Sequence, residues 1–210
     1  MKKLVMYSDQ IPSLRNTADK ELQKLFDKYT PKIGFIPSSS DTERVYFNDR
    51  KKFYHGLGMD MTVYFELDKE WKSDMLKPLL ECDAIHLSGG NTYYFLYWLR
   101  KRGMIEVLTR YVADGGVLIG VSAGSILMTP DISTSSFFGD ELIPGETDFS
   151  GLGLVDFSFV PHFGTKSFTV DDLKKYSQEK RTIVYAARDS GAIIVWDNNI
   201  KCIGDVIRIG

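Results

Sequence analysis

Through residues 1–125, short apolar runs alternate with longer segments of helical spacing, and this alternation constrains the fold more than any other feature. Leu4 to Tyr7, Lys32 to Ile36, Met61 to Phe65, Ala84 to Leu87 and Val117 to Gly120 are β-rich runs bounded by Ser, Gly, Pro or Asp. Between them the spacing predicts helices over Thr17 to Tyr29, Thr42 to Leu57, Lys72 to Leu80, Thr92 to Arg102 and Ile105 to Ala113. Runs without polar alternation belong to strands buried on both faces. Strands that alternate with helices of this length form βαβ units, whose right-handed crossovers build a parallel sheet covered on both sides. The expected fold is therefore α/β, a doubly wound, mostly parallel sheet with helices on both faces.

After residue 125 the rhythm changes. Residues Pro130 to Gly153 are rich in Ser, Thr, Gly and Pro and show no clear period, which suggests a functional loop. A strand follows over Leu154 to Val160, then a helix from Ser167, a candidate cap, to Glu179. Four further strands are predicted: Thr182 to Ala187, Ala192 to Trp196, Ile200 to Ile203 and Val206 to Ile209. Asp197-Asn198-Asn199 and Gly204-Asp205 are hairpin signals, so the sheet is expected to end in antiparallel C-terminal strands. With no internal repeat and no linker, residues 1–210 read as a single domain.

Composition removes several classes of function. A hydrophobic fraction of 43% with 13% aromatics excludes a disordered chain. The net charge is −2 and no basic stripe is visible, so neither a nucleic acid nor a membrane is expected as partner. Cys82 and Cys202 form no CxxC or CxH pattern, so no metal site and no disulfide framework is suggested. The apolar stretch after Met1-Lys2-Lys3 is too short for a signal peptide, and no run reaches a membrane span, so a cytoplasmic location is expected.

The chemistry concentrates where the run Val117-Leu118-Ile119 enters Gly120-Val121-Ser122-Ala123-Gly124 and continues as a helical turn. A serine at such a strand–turn–helix junction is held in a strained conformation that lifts its hydroxyl above the sheet. The N–H of Ala123 then points to where a tetrahedral oxyanion would form. A serine needs an adjacent base, and histidine has the suitable pKa. Of three histidines, His86 reads as a packed core residue, His55 as solvated, and His162, in Val160-Pro161-His162-Phe163-Gly164 at a strand's carboxyl end, as the base. Leu87-Ser88-Gly89-Gly90-Asn91-Thr92 also ends a strand and opens a helix. Its glycines suit a phosphate cradle or the second half of an oxyanion hole, and Asn91 is either a helix cap or a substrate contact. The loop matches neither dinucleotide nor P-loop fingerprints, so no cofactor is expected.

Taken in order, Ser88-Gly89-Gly90-Asn91-Thr92, Gly120-Val121-Ser122-Ala123-Gly124 and Pro161-His162-Phe163 resemble the peptidase E family, which includes aspartyl dipeptidases and is similar to cyanophycinases. The resemblance implies a serine peptidase on a fold like that of class I glutamine amidotransferases, which carry cysteine where this chain has Ser122. It further implies Ser122 as nucleophile, His162 as general base, the N–H groups of Gly90 and Ala123 as oxyanion hole, and small peptides as substrates. Related enzymes place a glutamate between two late strands, and the matching acid here is Asp189, with Asp140 and Asp156 left open on spacing. Phe137 stands where another family pattern has an aspartate. An aspartyl preference would need a cation near the site. Arg188, Lys166 and Arg181 lie nearby in the chain. A carboxylesterase or acyltransferase, and a non-catalytic small-molecule-binding module, are the competing readings, and a homodimer is allowed but not required.

Overall fold

The structure, a computed structural model, describes residues 1–11 and 17–210. Its strands are β1 (Lys3–Tyr7), β2 (Lys32–Ile36), β3 (Asp60–Tyr64), β4 (Ala84–Leu87), β5 (Val117–Val121), β6 (Phe157–Val160), β7 (Ile183–Ala187), β8 (Ala192–Trp196), β9 (Asn199–Ile203) and β10 (Val206–Ile209). The helices are α1 (Thr17–Gln23), α2 (Val45–His55), α3 (Leu76–Leu80), α4 (Thr92–Lys101), α5 (Met104–Ala113), α6 (Ala123–Ile126) and α7 (Val170–Lys180). A seven-stranded sheet runs β3-β2-β4-β5-β1-β8-β9. Its first five strands pair in parallel, and β8 and β9 add antiparallel pairings.

The strand order dictates which face each helix covers. From β1 the chain moves outward to β2 and β3, then returns through β4 and β5, so right-handed crossovers must reverse face between the two halves. Accordingly Ala18 and Leu22 of α1 and Tyr54 of α2 join Val5, Ile33, Phe35 and Ile119 in one apolar layer. Leu79, Phe95, Leu96, Leu99, Met104 and Leu108, from α3, α4 and α5, pack with Leu4, Met6, Ile85 and Leu118 in the other. The sheet is doubly wound, and its strands are apolar on both sides for that reason.

Three local expectations need correction. Helix α1 stops at Gln23 rather than Tyr29, because Asp27 to Thr30 are exposed ahead of Pro31, where nothing packs to hold another turn. Thr169, not Ser167, caps α7. Only from Thr169 does an acid, Asp172, fall three residues on to complete a reciprocal capping box. The Gly204-Asp205 turn is not a hairpin within one sheet: β10 leaves β9 and pairs antiparallel with β7 in a separate three-stranded sheet, β10-β7-β6. Strand β9 is a largely exposed edge, whereas Ile207 and Ile209 gain burial beside Val160, Val184 and Leu173 on the small sheet. This second sheet brings the carboxyl end of β6 over those of β1, β4 and β5. No helix among the described residues is long and apolar enough to cross a membrane.

Candidate active site

Ser122 lies between β5 and α6 with φ 51° and ψ −110°, a conformation a non-glycine residue adopts only where its surroundings enforce it. The enforcement is visible on both sides of the turn. The Ser122 N–H donates to the Tyr7 carbonyl (3.0 Å), which also accepts from the Ser125 hydroxyl (2.8 Å). A Cβ at Gly120 would meet the Gly124 carbonyl carbon at 2.5 Å, and one at Gly124 would meet the Leu87 carbonyl oxygen at 2.2 Å. Only glycines let α6 pass this close to β4 and β5. Ala123, the residue after Ser122, opens α6.

His162 follows β6 and Pro161, again at positive φ (54°). Its Nε2 is 2.9 Å from Ser122 Oγ and its Nδ1 is 2.7 Å from Asp189 Oδ1. Asp189 is carried by the β7–β8 turn, which reaches the histidine because β6 and β7 are adjacent in the small sheet. The other two acids lie elsewhere. Asp140 Oδ2 accepts the Thr92 N–H (2.7 Å), and Asp156 is exposed beside Lys2 and Asp197.

A cavity of about 510 Å³ opens beside Ser122 and His162. Ser88, Gly89 and Gly90 form one wall, and Gly90 has φ 137°. A Cβ at Gly90 would come within 2.0 Å of Ser38 Oγ, so glycine is required for this approach. Asn91 is not brought to the cavity wall: its Oδ1 accepts the Tyr94 N–H (2.8 Å) and its Nδ2 donates to the Glu141 carbonyl (3.0 Å), so the side chain caps α4. The loop of residues 130–153 delivers Phe138, whose ring meets that of His162 edge-on at 6.1 Å.

Several residues at the site carried no motif. The Ser8 hydroxyl, fully buried, accepts the His162 N–H (2.7 Å) and donates to the Ala187 carbonyl (3.1 Å), while its N–H donates to the Gly191 carbonyl (3.0 Å). One side chain thus ties β1 to both segments that carry His162 and Asp189. Its signal was its place at the carboxyl end of a strand in an open α/β sheet, where ligands gather. Asp9, Arg50 and His86 also line the cavity. Arg188 instead pairs with Asp205 (2.8 Å), and Lys166 and Arg181 are exposed and outside the lining. His86 is buried as expected for a core residue, stacked on Phe35 at 5.1 Å, yet it borders the cavity as well.

A sequence model of peptidase family S51 matches residues 8–203. The chain belongs to that family. An uncharacterized peptidase of Pasteurella multocida is 29% identical over 176 residues, which cover 81% of this chain and 84% of the relative. Peptidase E of a Nostoc strain is 27% identical over 148 residues, covering 70% of this chain and 58% of the relative. A Listeria monocytogenes protein crystallised as a candidate peptidase E superposes with a TM-score of 0.75 at 24% identity, spanning 96% of this chain and 98% of that one. Membership of family S51 makes the chain a peptidase of the serine class and bears out the resemblance to peptidase E.

Proposed function

We propose that this peptidase hydrolyses small peptides through an acyl-enzyme on Ser122, with His162 as general base and Asp189 as its orienting acid. The observation that carries the reading is the unbroken chain Ser122 Oγ, His162 Nε2, His162 Nδ1, Asp189 Oδ1, closed at 2.9 and 2.7 Å. Asp189 accepts from Nδ1–H and so leaves Nε2 unprotonated toward the serine. As Ser122 Oγ bonds to the scissile carbonyl carbon, its proton passes to Nε2, and the oxyanion is held by the N–H groups of Ala123 and Gly90. His162 then protonates the leaving amine, the C–N bond breaks, and a water activated by the same nitrogen releases the acid product.

Among the described residues Arg50 is the cation on the cavity wall, and it favours a leading residue with an acidic side chain. Asp9 and Asp49 on the same wall suit the free α-ammonium of a short peptide. The test is turnover of a dipeptide panel by wild type, Ser122→Ala, His162→Ala and the double variant. Each single change is expected to remove nearly all turnover, with the double variant scarcely worse, because nucleophile and base act as one unit. Additive losses would show that one of them is only a substrate contact.

A further inference from the structure

Beneath the cavity a hydrogen-bond chain runs from Arg50 to His86. Arg50 Nη1 donates to the Gln10 carbonyl (2.7 Å) and to Gln10 Oε1 (3.3 Å). Because a guanidinium can only donate, the Gln10 amide is oriented with Nε2 toward Tyr54, and it donates to the Tyr54 oxygen at 3.1 Å. The single Tyr54 proton is then directed to His86 Nδ1, 2.8 Å away. Tyr54 is wholly buried, and burial raises its pKa, so that proton stays in place. Burial and the Arg50 charge push the His86 pKa down to about 3, which keeps the imidazole neutral. With Nδ1 accepting, the ring proton resides on Nε2, for which no hydrogen bond is formed among the described residues.

Phe35 fixes the ring plane by stacking on it, and His86 borders the same cavity as Ser122. A rigid neutral donor with no partner among the described residues is free to meet an acceptor on a bound substrate. We propose that His86 is a specificity-determining residue of this site, whose Nε2–H donates to a side-chain oxygen, amide or carboxylate, of the substrate residue seated in the cavity. From the cavity wall Arg50 orients Gln10, and Gln10 and Tyr54, outside the lining, set the tautomer without touching substrate. A neutral N–H pairs with asparagine as readily as with aspartate and rejects the isosteric leucine, which has no acceptor.

This assignment rests on the serine-peptidase reading, so the two are tested together but read apart. Fluorophosphonate labelling of wild type reports whether Ser122 is an activated nucleophile. The kcat/KM values for Asn-Leu and Leu-Leu dipeptides are then compared in wild type, His86→Phe and Tyr54→Phe, and the protonated ring nitrogen of His86 is identified by nitrogen-15 NMR of the wild-type protein. Wild type should prefer Asn-Leu by roughly tenfold or more, about the worth of one well-placed hydrogen bond. His86→Phe should bring that ratio close to one, Tyr54→Phe should lower it, and NMR should place the proton on Nε2. Absent labelling overturns the peptidase reading and the assignment with it. A labelled enzyme that does not distinguish the two dipeptides, a His86→Phe variant that keeps the preference, or a proton on Nδ1 overturns the assignment alone.

Discussion

Replacing Asp189 by Asn keeps the shape of the side chain and removes both its charge and its obligation to accept. At 2.7 Å from Nδ1, the carboxylate faces the imidazolium that the proposed attack by Ser122 would form. Charges about 4 Å apart are worth about 1 kcal/mol in water and about 4 kcal/mol at the effective dielectric of a protein surface. The Asp189 side chain is 32% exposed, so the value falls inside that range rather than at its top. The second loss is the tautomer. An Asn Nδ2 turned toward Nδ1 donates instead of accepting, which moves the histidine proton to Nε2 and blocks it as base. Together the two effects should lower kcat by about 10² to 10⁴, a barrier increase of about 3–5 kcal/mol. Stability should change by less than about 1 kcal/mol, because the turn is partly solvated. Steady-state kinetics on a cleaved dipeptide, alongside thermal unfolding, measures both quantities. An Asn variant as active as the parent would refute the argument and leave Ser122 and His162 as a dyad.

Two further outcomes follow from buried groups. Ser8→Ala leaves the His162 N–H without its acceptor and removes one donor from the Ala187 carbonyl, which keeps the Phe163 N–H at 2.9 Å. It should cost about 1–3 kcal/mol in unfolding free energy and lower kcat about tenfold or more through misplacement of His162; a lower Tm with unchanged kcat would make Ser8 merely structural. His86 has a folded pKa of about 3, against about 6.5 for an unfolded histidine, so the unfolded chain takes up a proton that the folded one refuses. Its contribution to stability is fully present above pH 6.5 and falls as pH drops toward 3, by up to about 1.4 kcal/mol per unit. Denaturant titrations at pH 7 and 5 should show this slope in wild type and a flatter one in His86→Phe, and equal slopes would contradict the burial argument.

Much of this molecule was legible in its sequence, for physical reasons that also explain the rest. The parallel strands are buried on both faces, so they appear as uninterrupted apolar runs; β2 and β4 have the bounds their composition suggested, as do the antiparallel β8 and β10. The elbow was readable because strand, glycine-flanked serine and helix are contiguous. The partition of the late strands was not, because pairing β10 with β7 rather than β9 depends on burial against α7, and burial is not written in a turn dipeptide. Asn91 was ambiguous because the same side chain can cap a helix or bind a ligand. Ser8, Arg50 and His86 come together only through tertiary folding: one directly follows β1, one is on α2 and one is on β4. His86 carried a correct but incomplete reading, since a buried histidine can also border a cavity.

The claim that Ser122 is a nucleophile activated by His162 is tested most directly by incubating the protein with a fluorophosphonate and locating the adduct by peptide mass spectrometry. Ser122 should be the single modified residue in wild type, Ser122→Ala should take up none, and His162→Ala should react far more slowly. No adduct on wild type, or an adduct on Ser38 or Ser88 in the same cavity instead, would contradict the assignment.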